Sequence, residues 1–230
     1  MELTIATWNV RRHKSSAVWN QLVPDPDIFL LQETSVPEAE ATSKKVFGSI
    51  IGGNRKWGSA IVTQKYELEP IELKINSHPG ALVTARLRLG QKLEFQLISV
   101  YGLMLDTYAV TSVHRMLSDL TPLIDNYARK NIILAGDFNA SLQVDERNKN
   151  KSNQILFDRI QDLGFSDCLA PFQHYPVQTW RSLNDNKLWQ LDYLYASKSL
   201  FAKLKSCFVI DNPGVRNFSD HNPVIAVFDL

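Results

Sequence analysis

The sequence predicts an α/β fold, a sandwich of two sheets formed by a single domain over residues 1–230. Three observations predict it. Short apolar runs rich in β-branched residues recur along the whole chain. Helical stretches intervene between them. No composition shift, linker or repeat divides the 230 residues, a length that suits one large domain and buries a substantial core without staples.

The elements follow in order. Leu3-Thr4-Ile5-Ala6-Thr7-Trp8 is β-prone and ends at Asn9. Arg11 to Lys14 is a dense basic loop, and Ser15 and Ser16 can cap a short helix that runs to Leu22, before Pro24 and Pro26. Asp27-Ile28-Phe29-Leu30-Leu31-Gln32-Glu33 is a buried strand ending in a carboxylate. Residues 37–47 read as a helix. Residues 58–64, 71–75, 81–89 and 93–100 read as strands, with Gly90-Gln91 as a hairpin turn. Residues 109–129 have helical periodicity, weakened at Pro122. Asn131-Ile132-Ile133-Leu134-Ala135 is a buried strand that leads into Gly136-Asp137-Phe138-Asn139. Residues 145–152 read as a polar loop and 152–163 as a helix closed by Gly164. Short strands at 179–181 and 191–196, then 203–210 and 223–228, complete the chain.

Composition excludes several classes. Hydrophobic residues make up 44% and charged residues 21%, ordinary for a globular protein, and the net charge of +1 gives no global basic field. Nucleic-acid contacts must therefore come from local patches. Cys168 and Cys207 make neither a metal spacing nor a disulfide framework. No apolar run reaches the length of a membrane span. Met1-Glu2-Leu3-Thr4 leads directly into the first strand and leaves no room for a removable signal, so a cytoplasmic protein is expected.

Chemistry collects at strand ends, where open α/β sheets bind ligands. Five of them carry Asn9, Glu33, Tyr101, Asp137 with Asn139, and Asp192; a sixth stretch, Ser219-Asp220-His221-Asn222-Pro223, precedes the last strand. Oxygen donors without a Cys/His cluster favour a hard cation, Mg²⁺ or Mn²⁺. Glu33 is the expected metal carboxylate, with Asn9 and Asp220 nearby or bound through water. His221 is positioned to move a proton or stabilise charge, and Asp192 to orient it. Asp137 is expected to activate or align a water nucleophile, and Asn139 to hold that water or a phosphate oxygen.

These residues carry a resemblance. Thr7-Trp8-Asn9, Leu31-Gln32-Glu33-Thr34, Gly58-Ser59-Ala60-Ile61, Val100-Tyr101-Gly102, Gly136-Asp137-Phe138-Asn139, Leu191-Asp192-Tyr193 and Ser219-Asp220-His221-Asn222-Pro223 resemble, in order, the motifs of the endonuclease/exonuclease/phosphatase superfamily. That group includes pancreatic-type DNases, apurinic endonucleases of the exonuclease III type, retrotransposon endonucleases, sphingomyelinases and inositol polyphosphate 5-phosphatases. The resemblance implies a four-layer αββα sandwich of two mainly antiparallel mixed sheets flanked by helices, and metal-dependent hydrolysis of phosphoesters. It implies that Glu33 and Asn9 are metal-side residues, Asp137 and Asn139 the nucleophile-side pair, Asp192 and His221 the acid–histidine pair, and Asp220 the acid before the histidine. Tyr101 matches a position held by tyrosine in apurinic endonucleases and by histidine in pancreatic-type DNases.

The branch features are mixed. Asn9-Val10-Arg11 is similar to the Asn-Ile-Arg of pancreatic-type DNases, whose arginine contacts the nucleic-acid backbone; apurinic endonucleases have an aspartate at that place. Leu103-Met104 stands where apurinic endonucleases carry Pro-Asn. Asp145-Glu146-Arg147-Asn148 resembles their Asp-Leu-Arg-Asn loop, and Trp180, Trp189 and Leu191 resemble the apolar pocket for an extruded abasic sugar. The expectation is a Mg²⁺-dependent monomeric endonuclease acting on DNA, with Arg11, Arg147, Trp180 and Trp189 as substrate contacts. The alternatives are a phosphoesterase acting on small-molecule or lipid phosphates, of inositol phosphate or sphingomyelin type, and a binding module that keeps the fold without catalysis.

Overall fold

The structure is a computed structural model that describes residues 1–41, 43–76, 78–90, 93–105, 109–124, 131–182 and 187–230. Its strands are β1 (Glu2–Asn9), β2 (Ile28–Thr34), β3 (Val46–Gly52), β4 (Arg55–Thr63), β5 (Leu68–Pro70), β6 (Leu82–Leu89), β7 (Leu93–Tyr101), β8 (Asn131–Asp137), β9 (Phe165–Asp167), β10 (Asp192–Ser197), β11 (Leu204–Val209) and β12 (Val224–Asp229). The helices are α1 (Glu38–Ala41), α2 (Val110–Ile124), α3 (Leu142–Asn148), α4 (Ser152–Asp162), α5 (Lys198–Phe201) and α6 (Pro213–Phe218).

Two six-stranded sheets form, in the orders β11-β12-β1-β2-β4-β3 and β5-β6-β7-β8-β10-β9. Each is antiparallel except at its centre, where β1 pairs β2 and β7 pairs β8 in parallel. The central strands are buried on both faces, so they read as near-continuous apolar runs rather than as alternation. One face of each sheet meets the other sheet: Leu3, Ile5, Ile28 and Leu30 pack with Leu97, Ile133, Ala135 and Leu194. The outer face of the second sheet is covered by α2 and α4 through Met116, Leu117, Leu120, Leu156 and Ile160. The outer face of the first is covered by Val18, Leu22 and Val215 over Ala6, Trp8, Phe29 and Leu31. Three apolar layers between four structural layers make the expected αββα sandwich.

Several local expectations are corrected. The predicted helix at 37–47 shrinks to α1, and Val46–Gly52 is instead the edge strand β3 paired with β4. Gly48 makes that pairing possible: a Cβ there would lie 2.9 Å from the Ala60 Cβ. The strand expected at 71–75 is absent, and β5 takes its place at the sheet edge, where Pro70 is tolerated. Residues 145–152 are no simple loop. Helix α3 reaches Asn148, and buried Asp145 accepts from the backbone N–H groups of Asn153 and Gln154, at 3.0 and 2.8 Å, so it caps α4 from outside. The expected strand at 179–181 is reduced to single bridges of Trp180 with Trp189 and with His221. The helix expected from Ser15 is one 3₁₀ turn, Ser15–Val18. Expectations for Gln91 and for 125–129 fall outside the described residues.

Candidate active site

Register alone brings the second sheet's polar strand ends together. Asp137 lies opposite Tyr101 across the parallel β7–β8 pair and opposite Asp192 across the antiparallel β8–β10 pair. In the first sheet the parallel β1–β2 pair sets Asn9 beside Gln32, one residue before Glu33. The two parallel pairs therefore deliver their carboxyl ends to one point. A β-bulge between Leu31 and Thr34 interrupts the β2–β4 pairing there, and Glu33 takes a left-handed φ of 48°. Such a conformation costs a non-glycine residue about 1–2 kcal/mol and re-aims the side chain out of the strand's alternation. Asn139, at φ 47°, does the same after β8.

The side chains interlock. Asn9 Nδ2 donates to Asp137 Oδ2 at 2.9 Å and to Glu33 Oε1 at 3.3 Å, so one buried amide bridges two carboxylates from different sheets. Asn9 Oδ1 accepts from the Arg11 backbone N–H at 3.0 Å. Tyr101 Oη donates to Glu33 Oε1 at 2.9 Å. Asn139 donates its backbone N–H to Asp137 Oδ1 at 2.9 Å and its amide to Asp137 Oδ2 and to the Gly102 carbonyl. His221 Nδ1 lies 2.9 Å from Asp192 Oδ2, and its Nε2 lies 3.9 Å from Asp137 Oδ2. The loop bearing His221 is tied to β1: Trp8 Nε1 donates to the His221 carbonyl, and Ser219 Oγ donates to the Asn9 carbonyl while accepting from the His221 backbone N–H.

Burial sets the proton affinities. Asp137 and Asp192 are essentially without solvent contact. Burial drives the Asp137 carboxyl up, to about 7, against the pull of nearby His221 and of its hydrogen bonds from Asn9 and Asn139. For His221 burial is the largest single influence and lowers its proton affinity, yet the Asp192 and Asp137 carboxylates together outweigh it and lift it to about 9. Burial, then the charges of Asp137 and Glu33, push the Tyr101 phenol well above its ordinary value, so it stays protonated and remains a donor to Glu33.

These groups open into a cavity of about 640 Å³ lined by Arg11, Glu33, Tyr101, Asp137, Asn139, Trp180, Asp220 and His221, among others. Asn9 lies beneath it, and Asp192 lies behind His221. Trp189 is buried behind Trp180, at 6.4 Å between ring centroids, so it meets the cavity only through its neighbour. Arg147 stacks 5.8 Å over Trp189 and lines an adjoining 310 Å³ cleft that shares Met104 and Asn139 with the main cavity. Sequence reasoning missed Trp8, Ser219 and Thr179. Thr179 Oγ1 accepts from the backbone N–H groups of Leu191 and Asp192 and so fixes the start of β10. Trp8 and Ser219 sit inside the sequence motifs, but nothing there indicates that they brace β1 against the histidine loop.

A cation fits on one side. Glu33 Oε1 is used by Asn9 and Tyr101, while Oε2 has only Arg12, at 3.9 Å, among its described ion-pair partners. Glu33 and Asp220 face the same cavity with carboxylate oxygens, the donors a hard divalent ion takes. Asp137, Asp192 and His221 also place one ligand atom each within 4.8 Å of one another. That trio is the poorer cage, because Nδ1 of His221 is already committed to Asp192 and the raised proton affinity keeps the ring from offering a lone pair.

This fold and cleft define a hydrolytic enzyme acting on phosphoesters. The chain belongs to the Endonuclease/Exonuclease/phosphatase family, whose model matches residues 6–221. A search of curated protein sequences finds no match. Among solved structures the chain is similar to an AP endonuclease from Archaeoglobus fulgidus, with TM-score 0.71 and 23% identity over 99% of this chain and 100% of that one. It is also similar to the AP endonuclease LMAP from Leishmania major, with TM-score 0.75 and 19% identity over 100% and 88%. A third is the endonuclease domain of TRAS1, a telomere-specific non-LTR retrotransposon, with TM-score 0.70 and 17% identity over 100% and 99%. At these identities the likeness establishes the shared fold. No helix among the described residues is long and apolar enough to cross a membrane.

Proposed function

We propose that the protein is a divalent-metal-dependent endonuclease that hydrolyses DNA phosphodiester bonds, working as a monomer. The observation that carries this is the 3.9 Å gap between His221 Nε2 and Asp137 Oδ2 on the floor of a cavity whose facing wall is Glu33. A proton donor and a proton acceptor stand there at one point, open to a phosphate from one side. In its ionised form Asp137, held by Asn9 and Asn139, aligns a water and takes its proton. His221, kept charged by Asp192, donates Nε2–H to a phosphate oxygen as negative charge develops. Asn139 acts by fixing Asp137, since its own amide is spent on Asp137 and Gly102. Mg²⁺ or Mn²⁺ held by Glu33, with Asn9 and Asp220 beside it, would supply Lewis-acid stabilisation of that charge. DNA as substrate is supported by the names of the similar structures, two AP endonucleases and a retrotransposon endonuclease, and by the arginine–tryptophan pairs along the cleft. The net charge of +1 favours the second reading, a phosphoesterase of small-molecule or lipid phosphates.

Incubation with supercoiled plasmid and Mg²⁺ tests this. Nicking by the native protein and its loss in Asp137→Asn and His221→Ala is the expected result. Equal nicking by those variants would remove the assignment, and turnover of an inositol phosphate without plasmid nicking would select the second reading.

A further inference from the structure

The turn that carries Asp220 and His221 is tied to β1 through Trp8 and Asn9, and a second grip on it comes from outside the reacting groups. Arg181 follows Trp180, whose backbone bridges His221. The Arg181 backbone N–H donates to the Asp220 carbonyl at 3.0 Å, and the Asn222 N–H donates to the Thr179 carbonyl at 2.7 Å. The Arg181 guanidinium then closes over the turn. Its Nη1 donates to Asn222 Oδ1 and its Nη2 to the Ser219 carbonyl. Ser219 comes directly before Asp220, and Asn222 directly after His221. One planar group therefore holds both ends of the dipeptide that bears the metal-side acid and the proton donor.

The partners of Arg181 are themselves fixed. Ser219 Oγ bonds the Asn9 carbonyl and the His221 N–H, and Asn222 Nδ2 donates to the Gln178 carbonyl at 2.9 Å. Arg181 Nη1 also lies 3.5 Å from Asp211 Oδ1, and Asp211 is held by two hydrogen bonds from Arg216, at 2.7 and 3.0 Å. Asn212, next in the chain, caps α6 by accepting from the Val215 N–H at 3.0 Å. Burial lowers the proton affinity of the Arg181 guanidinium; Asp211 and, more weakly, Asp220 oppose it, so Asp220 feels this charge. The contrast with Arg216 is informative. Arg216 spends its fork on Asp211 alone, which is all that an ion pair requires. Arg181 reaches the same acid with one nitrogen and divides its donors between two neutral acceptors that flank the reacting residues. Only a planar fork with several fixed donors can do this.

We propose that Arg181 is a positioning residue for the reaction, clamping the Ser219–Asn222 turn so that His221 Nε2 stays on Asp137 and the Asp220 carboxylate stays on the cavity. It rests on the endonuclease reading above and deepens it. Arg181 acts through His221 and Asp220. Misplacing a reacting group by about 1 Å costs about 10²-fold in rate, while the grip on DNA, which comes from other residues, is kept.

The test compares native protein with Arg181→Ala and Arg181→Lys in three measurements. They are steady-state nicking of a labelled duplex with Mg²⁺, thermal melting, and proton NMR of the far-downfield His221 Nδ1–H signal, assigned by its loss in His221→Ala. Arg181→Ala is expected to lower kcat about 10²-fold with KM unchanged, and to erase the downfield signal in protein that melts as a folded domain. Added guanidinium ion should recover both kcat and signal. Arg181→Lys, which can pair with Asp211 but cannot bridge Ser219 and Asn222, should keep the melting midpoint and recover kcat only in part. Native kcat and signal in Arg181→Ala, or a loss of kcat that only follows the loss of folded protein, would overturn the assignment. Where Arg181→Ala does not fold, Arg181→Lys decides: full activity overturns the clamp, and a lower kcat at unchanged KM supports it. If native protein nicks no DNA but the signal is lost in Arg181→Ala and restored by guanidinium, the nuclease reading falls and the clamp stands.

Discussion

The two walls of the cleft are built on opposite principles. One wall, Asp137 and Asp192 of the second sheet with His221 from the loop before β12, is buried and almost wholly bonded to other parts of the chain. The wall from the first sheet, Glu33 with Arg11, Arg12 and Trp57, is open, and its carboxylate keeps one oxygen turned outward. The proposed proton chemistry calls for the first arrangement: burial pushes Asp137 up to about 7, and the close carboxylates, against burial, lift His221 to about 9. Holding a hydrated ion and a charged chain needs the second, because both must arrive from water. Asn9 joins them, donating to a carboxylate on each wall.

The comparison breaks most sharply at Asp137. Asp137→Asn keeps the shape but removes the proton acceptor, and turnover is expected to fall about 10³- to 10⁴-fold with little change in KM. A similar fall is expected for His221→Ala. Steady-state kinetics on a labelled duplex check both, and a loss carried by KM alone would mean that this wall binds rather than reacts.

Asp192→Asn is expected to cost somewhat less, about 10²- to 10⁴-fold, and it carries a pH signature. His221 is raised to about 9 in the folded protein, and on the proposed mechanism its charged form is the working one, so activity should fall as pH rises through that value. Asp192 is the strongest influence holding the proton on the ring. Without it burial is less fully opposed, and the alkaline limb of the profile should move to lower pH. A limb that stays in place would show that His221 is not the titrating donor.

Much of the buried wall was legible before the structure. Runs such as Asn131-Ile132-Ile133-Leu134-Ala135 are apolar on both faces because helices and the other sheet cover them, and each ends in a polar residue that register then aligns. The open wall was less legible. Strand β3 was missed, its first two residues taken as the end of a helix, since Val46–Gly52 becomes a strand through pairing with β4. Arg12 was noted only as part of a basic loop, and Trp57 and Arg55 passed unnoticed: nothing in their spacing says that a guanidinium from that loop and one from β4 settle on one ring. Arg147 and Trp189 were foreseen as separate contacts but not as a stacked pair. Asp145, expected in a polar loop, satisfies the first turn of α4.

The smallest effect is the one that best sharpens the comparison, because it lies where the walls touch. Tyr101 comes from β7 of the second sheet but spends its hydroxyl on Glu33 of the first. If its work is to orient the carboxylate that holds the cation, Tyr101→Phe leaves Asp137 and His221 untouched, and its cost should appear as weakened metal binding. Losing a group of this kind typically costs about 10- to 100-fold in metal affinity or activity. The lower end is expected here, because Asn9 still donates to the same oxygen. The Mg²⁺ concentration for half-maximal activity should therefore rise about tenfold, with turnover recovered at saturating metal. Titration of activity against Mg²⁺ separates this from a direct role. A turnover that stays low however much metal is added would place the phenol on the reacting phosphate, and Tyr101 would then belong to the proton-handling wall from which its strand comes.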